Sequence, residues 1–377
     1  MKTYLMTPGP TPVPPEVAGE EAKPIIHHRT KEFKALFNEV IDGIKYVFQT
    51  KNDVIMLTSS GTGAMEACVS NLLSPGDKTL VLNIGVFAER WGKILKAYGL
   101  EPVEIKEEWG NAIDLKKVEE ALKKEPKIKA VFTQLTETST GVVNDIKAIA
   151  KIVKKTDAVL VVDAISGLGA QEFRMDDWDV DVAVTGSQKG LMIPPGLAAV
   201  ALNDKAWKMV EQSKLPKFYF TLKAGRESLK KGQTPYTPAV SLFVALRKSL
   251  EMIKKEGLEN VYGRHQKLAR ATRAAVKALG LELFAKSPCD AVTSVKVPEG
   301  VDGEALKEKM RLEYGIAIAG GQKDLKGKIF RIGHLGYMEM FDTISAIAGL
   351  EIVLKELGYN VELGKGVAAA QEEIAKK

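Results

Sequence analysis

Between residues 54 and 202 the chain alternates short, Val-rich apolar runs with longer stretches of helical periodicity, and that alternation leaves few folds open. The runs are Val54–Leu57, Thr79–Asn83, Lys129–Gln134, Ala158–Asp163, Val180–Val184 and Leu197–Leu202. They are too short for helices and apolar at successive positions, so both faces of each strand are expected to be buried. Helical stretches between them then cover a mainly parallel sheet, the α/β class.

Ligands in such sheets bind just beyond the carboxyl ends of the strands. One run stops at Asp163, and another leads into Thr185-Gly186-Ser187-Gln188-Lys189-Gly190, so an acid and an amine emerge at two strand ends. Two readings stand at this point. The plain one is a solvated lysine and a helix-capping aspartate. The other is a Schiff-base site, since pyridoxal phosphate chemistry needs a lysine for the imine and an acid opposite the pyridine nitrogen.

Other strand ends carry polar residues too. Thr58-Ser59-Ser60-Gly61-Thr62-Gly63 reads as a tight turn into a helix, and a helix N-terminus with glycines and hydroxyls is a ready phosphate site. It lacks the third glycine of a dinucleotide fingerprint and the lysine of a P-loop. Thr136-Glu137-Thr138-Ser139-Thr140-Gly141 follows another strand, where its hydroxyls suit turns or a polar ligand.

Outside this region, Pro8-Gly9-Pro10-Thr11-Pro12-Val13-Pro14-Pro15 excludes a helix or a central strand, so residues 1–16 are expected to form an extended arm lying on the rest of the chain. Lys31–Thr50 has clear amphipathic spacing. Residues 17–257 are expected to make the large unit. From 258 to 377 helices mix with an alternating run, Val292–Val297, which predicts a smaller α+β unit with a peripheral tail helix after Val361.

The net charge of +6 over 377 residues is too small to argue for nucleic acid. The basic stretch from Lys205 to Lys231 reads as a solvated face rather than the rim of an anion site. Cys68 and Cys289 form no metal or redox motif, no membrane-spanning run is present, and Met1–Met6 lacks the apolar core of a secretion leader. The expectation is a cytoplasmic protein without metal.

With these residues in view, the chain resembles the class V aminotransferases of fold type I, above all the alanine–glyoxylate and serine–pyruvate group. The likeness rests on Pro8-Gly9-Pro10-Thr11, His28-Arg29-Thr30, Ser60-Gly61-Thr62, Glu137-Thr138-Ser139-Thr140-Gly141, Asp163-Ala164, Gly186-Ser187-Gln188-Lys189, Pro195-Gly196-Leu197 and Phe330-Arg331-Ile332-Gly333, in the family's order. It implies a seven-stranded, mainly parallel sheet, pyridoxal 5'-phosphate, and transfer of an amino group from a small amino acid to a 2-oxo acid. Lys189 would carry the cofactor and move the proton, while Asp163 would hold the pyridine nitrogen protonated. Ser60, Gly61, Thr62 and Gln188 would cup the phosphate. Phe87 would stack on the ring, where many relatives have Trp, and Thr138 would contact its phenolic side.

Arg331 would take the substrate carboxylate and Gly9 would lie near the substrate. The family's site lies between two subunits, so Thr237, with Tyr236 or Thr234, would reach the phosphate of a homodimeric partner. Thr234 falls where relatives often have Tyr. Three rivals remain: a cysteine desulfurase, disfavoured because Ala319–Lys323 has no cysteine; an aminotransferase for phosphoserine or 2-aminoethylphosphonate; and a non-catalytic scaffold subunit.

Overall fold

A computed structural model describes residues 2–376; Met1 of the expected arm and Lys377 of the expected C-terminal unit lie outside the described residues. The Val-rich runs form one seven-stranded sheet. Across it the strands are Asp53–Leu57, Ala198–Leu202, Val182–Gly186, Val159–Asp163, Ile128–Gln134, Lys78–Asn83 and Val103–Lys106. Only Ala198–Leu202 is antiparallel, to both its neighbours. Within a single strand, Leu160 and Val162 join one apolar cluster while Val159 and Val161 join the cluster on the opposite face. Burial on both sides is why these runs are uniformly apolar rather than alternating.

The first cluster is closed by the helix Lys31–Phe48, whose Phe33, Leu36, Phe37, Val40, Ile41, Ile44, Val47 and Phe48 are all buried. Thr30 caps it by accepting from the Phe33 amide. It packs on Val240–Glu256, where Phe243 meets Phe33 and Phe37.

The helix Leu258–Ala278 leaves the first core for another. Leu258, Val261 and Tyr262 belong to the sheet's cluster, whereas Leu268, Ala271, Ala275 and Val276 join a separate one with Val295, Phe330, Ile332, Ile347 and Leu350. The expected boundary at 257/258 thus falls at the start of a bridging helix. Beyond it, Val292–Lys296, Ile329–Gly333 and Ala319–Gly320 make a three-stranded antiparallel sheet in which Arg331 lies opposite Ser294 and Ala319. The run Ile316–Ile318 is not one strand: Ile316–Ala317 pairs in parallel with Tyr4–Leu5 of the arm instead. The tail helix, Lys365–Ala375, docks on Leu258–Ala278 and Met340–Glu356.

The arm departs from expectation in one place. It does not stay extended to residue 16, for a helix begins at Pro15, where a proline suits the first helical turn. Before that the arm runs across the site. Gly333 donates to the Met6 carbonyl, and the Thr11 amide donates to the Gln188 carbonyl at 3.1 Å.

Candidate active site

Asp163 ends its strand, 5% exposed. Its Oδ1 accepts from the Ile165 amide at 2.8 Å. Burial pushes its carboxyl up to about 7, against that hydrogen bond, with the nearby Glu137 charge pushing the same way as burial. Lys189 follows the neighbouring strand, in a loop tied by Ser187 Oγ to the Pro194 carbonyl and by Thr11 Oγ1 to the Lys189 carbonyl. Its amine donates to the Pro8 carbonyl at 2.5 Å and meets no carboxylate at ion-pair distance among the described residues. Burial lowers it to about 8, partly opposed by Asp163. Gly9 passes so close to this side chain, at φ +132°, that a Cβ would overlap the lysine's Nζ, Cε and Cδ.

Asp163 and Lys189 line one cavity of about 110 Å³ with Ser60, Gly61, Thr62, Phe87, Thr138 and Gln188. Eight of the residues singled out from sequence therefore meet here. At one end the helix Gly61–Leu72 begins, with Ser60 at its N-cap making no capping bond of its own. The first amides of a helix lack intrahelical partners, so this end offers donors and a positive dipole. At Gly61 a Cβ would run into the Ile165 side chain, which would have to shift.

Arg331 stands behind Thr138. Its Nε and Nη2 donate to the Gly320 carbonyl at 3.0 and 2.7 Å, and Nη1 donates to the Thr138 carbonyl at 2.8 Å. It is 5% exposed, has no acidic partner among the described residues, and burial lowers it to about 10. Of five guanidinium N–H groups three are used. That leaves two for a ligand.

Tyr236 and Thr237 are not brought to this cavity within the chain. Thr237 is exposed, 3.4 Å from His28 Nε2, and Tyr236 stacks on Tyr219 and Phe218. Thr234 is spent on the turn, donating to the Tyr236 carbonyl. Arg29 holds the same loop through the carbonyls of Thr234 and Pro235. Nor does the basic stretch reach the cavity: Lys217 is wrapped by carbonyls, and Lys223 and Arg226 pair with Glu211 and Asp53.

Sequence reasoning missed Arg90, Ile165 and Ser166, which complete the lining together with Thr136, the first hydroxyl of the run that follows its strand. Arg90 donates to Thr62 Oγ1 at 2.9 Å and lies over the Phe87 ring; its helical offset of three from Phe87 was the available signal. Ser166 accepts from Thr138 at 2.6 Å and has no local signature.

The residues fit a cofactor. Gln188 Oε1 and Thr136 Oγ1 are buried without a hydrogen-bond partner among the described residues. At Gly186 a Cβ would stand 3.3 Å from the Gly61 amide, closing the cradle at the helix start. An amine and an acid at adjacent strand ends and a helix N-terminus, with the guanidinium of Arg331 held by Thr138 beside them, suit pyridoxal phosphate.

Comparison with known proteins carries the assignment further. The model of the family described as aminotransferase class-V matches residues 3–332, and the chain belongs to that family. It is 40% identical to the L-aspartate–glyoxylate aminotransferase of Paracoccus denitrificans, with 98% of this chain and 95% of that one covered. It is 47% identical to the small subunit of a soluble hydrogenase from Synechococcus, over 99% of each. The solved ureidoglycine–glyoxylate aminotransferase of Bacillus subtilis superposes with a TM-score of 0.96 at 30% identity, covering 100% of this chain and 99% of that one.

Proposed function

We propose that the chain moves the amino group of a small amino acid (alanine, serine or aspartate) to glyoxylate or pyruvate, with Lys189 carrying the cofactor. The observation that supports this best is the pair of buried basic groups without carboxylate partners among the described residues: Lys189, which lines the cavity with Thr138, and Arg331, held by the Thr138 carbonyl. A cation kept buried and unpaired is costly unless a ligand completes it.

When bound, pyridoxal phosphate supplies the carbonyl that takes up the amino group and a ring that accepts electrons from the substrate's Cα. Lys189, lowered to about 8 by burial, holds about a tenth of its amine unprotonated at pH 7, far more than an exposed lysine would, and so can accept and return a proton at Nζ. Asp163 offers a desolvated carboxylate to a cationic ring nitrogen. Arg331 turns its two free N–H groups to the α-carboxylate as a fork, which a lysine could not do. Gly9 and the Pro8 carbonyl of the arm lie against Lys189 and help bury it.

Relatives named L-aspartate–glyoxylate, serine–glyoxylate and ureidoglycine–glyoxylate aminotransferase support glyoxylate as the acceptor, and one named pyridoxamine–pyruvate aminotransferase supports pyruvate. A homodimeric site, with Tyr236 and Thr237 reaching the partner's phosphate, is supported by their position outside the chain's own cavity and by the exposed Phe218 stacked against Tyr236. Two unpaired buried cysteines agree with a cytoplasmic setting, and no described helix is long and apolar enough to cross a membrane.

A matrix of amino donors against 2-oxo acids, followed by the cofactor's colour change, tests the reading. Borohydride should bleach the yellow band and tag Lys189. Activity confined to phosphoserine or 2-aminoethylphosphonate would replace the proposed substrates with an anionic one. A protein that stays colourless with added pyridoxal phosphate would instead favour a scaffold role, the reading that the hydrogenase-subunit name of one relative suggests.

A further inference from the structure

Glu137 is the most deeply placed charge near the site, with no exposed surface, and it does not line the cavity. Its carboxylate accepts from the amides of Phe87 at 3.3 Å, Ala88 at 3.0 Å and Ser139 at 3.1 Å, and from Ser139 Oγ at 2.6 Å. The helix Val86–Ala97 has Gly85 at its N-cap and no capping side chain of its own. Instead Glu137 takes the Phe87 and Ala88 amides, and Ser139 Oγ takes the Val86 amide at 3.0 Å. The cap comes from a segment fifty residues away. Gly85 leaves room for it, since a Cβ there would strike Glu137 Cγ and Cδ and Ser139 Oγ.

The next residue extends the chain of contacts. Thr138 donates its hydroxyl to Ser166, and its carbonyl holds Arg331. Phe87 and Arg331 come from helix and strand elements far apart in sequence, and the segment 136–139 touches both. We propose that Glu137 is a positioning residue that sets Phe87, on the cavity wall, in register with Arg331, which the Thr138 carbonyl holds. Burial raises the Glu137 carboxyl while its hydrogen bonds from Ser139, Ala88 and Phe87 pull the other way, and in its charged form it favours the charged guanidinium of Arg331. The inference rests on the proposed transaminase reading.

In Glu137→Gln an NH2 replaces one carboxylate oxygen where every backbone partner is a donor, so at least one bond becomes a clash of N–H groups. Gly85→Ala displaces the same side chain by crowding while leaving its charge intact. Both variants of the cofactor-loaded protein should raise KM for alanine and glyoxylate roughly tenfold or more, as displacement of a binding group near 1 Å does, with a smaller change in kcat. Both should also change the visible circular dichroism of the bound cofactor, which a loss of stability alone does not move.

If either variant folds with unchanged KM, kcat and cofactor dichroism, the inference is overturned, and a lowered melting temperature with nothing else altered overturns it equally. If one variant fails to fold, the other decides. Should the wild type bind pyridoxal phosphate yet fail to transaminate alanine and glyoxylate, the substrate reading is lost and the dichroism still decides the role of Glu137.

Discussion

Replacing Arg331 with Met separates what the guanidinium does for folding from what it does for the ligand. Burial lowers Arg331 to about 10, so the folded chain holds this proton less tightly than the unfolded chain does. The sign follows: the penalty is present in full at every pH below about 10, and over that shift it amounts to about 3 kcal/mol. Met removes the penalty. It also strips the Gly320 and Thr138 carbonyls of their donors, at roughly 1–3 kcal/mol each. The two effects nearly offset, and Arg331→Met should melt within a few degrees of the wild type.

Function has no such offset. Losing a buried, forked charge pair to the α-carboxylate costs about 3 kcal/mol or more, roughly two decades in kcat/KM. The assay pairs thermal unfolding of the cofactor-loaded protein, with and without acetate as an unreactive carboxylate, with steady-state kinetics on alanine and glyoxylate. Acetate should stabilise the wild type and leave the variant unmoved. A fall in kcat/KM of less than threefold would refute the carboxylate assignment. A collapse in stability would show Arg331 to be a structural clamp on Gly320 and Thr138.

Three further outcomes are expected. Asp163, pushed up to about 7 by burial, binds its proton more tightly folded than unfolded, so its penalty grows as pH rises from about 4 through 7. Cofactor-free Asp163→Asn should therefore gain stability over the wild type between pH 5 and 8, by up to about 4 kcal/mol, and parallel denaturation curves across that range would contradict this. Gly9→Ala places a methyl in the Lys189 side chain at a φ that favours glycine; about 2 kcal/mol of stability should go, and the yellow band should form more slowly on adding pyridoxal phosphate. Glu351 accepts from the amides of Gly364, Gly366 and Val367, so Glu351→Ala should cost roughly 3 kcal/mol in tail docking, seen as protease cleavage between residues 357 and 366.

The strand runs were legible because a doubly covered sheet demands unbroken apolar stretches, and the observed strands match them to within a residue or two at most ends. The edge strand Val103–Lys106, with Glu104 and Lys106, carries no such demand and was not read. Helices such as Leu115–Lys124 and Leu222–Leu229 were also passed over, the first burying only Val118 and Leu122 and the second only Leu222 and Gly225. A helix that buries only two residues offers few apolar positions to read, however well they are spaced.

By itself the sequence determined that Asp163 and Lys189 emerge at strand ends, since the apolar runs before them can only be buried strands. It determined that Ser60–Thr62 opens a helix, and that the proline-rich arm cannot fold on itself. Tertiary structure decided everything that depends on a partner distant in the chain. The Pro8 carbonyl holds Lys189, the Gly320 and Thr138 carbonyls hold Arg331, and Glu137 caps the helix that carries Phe87. Backbone carbonyls have no signature in a sequence, and a buried carboxylate looks there like any other acid. Burial then turned an ordinary lysine and aspartate into groups titrating near neutral pH, because desolvation acts only once the surrounding chain has closed.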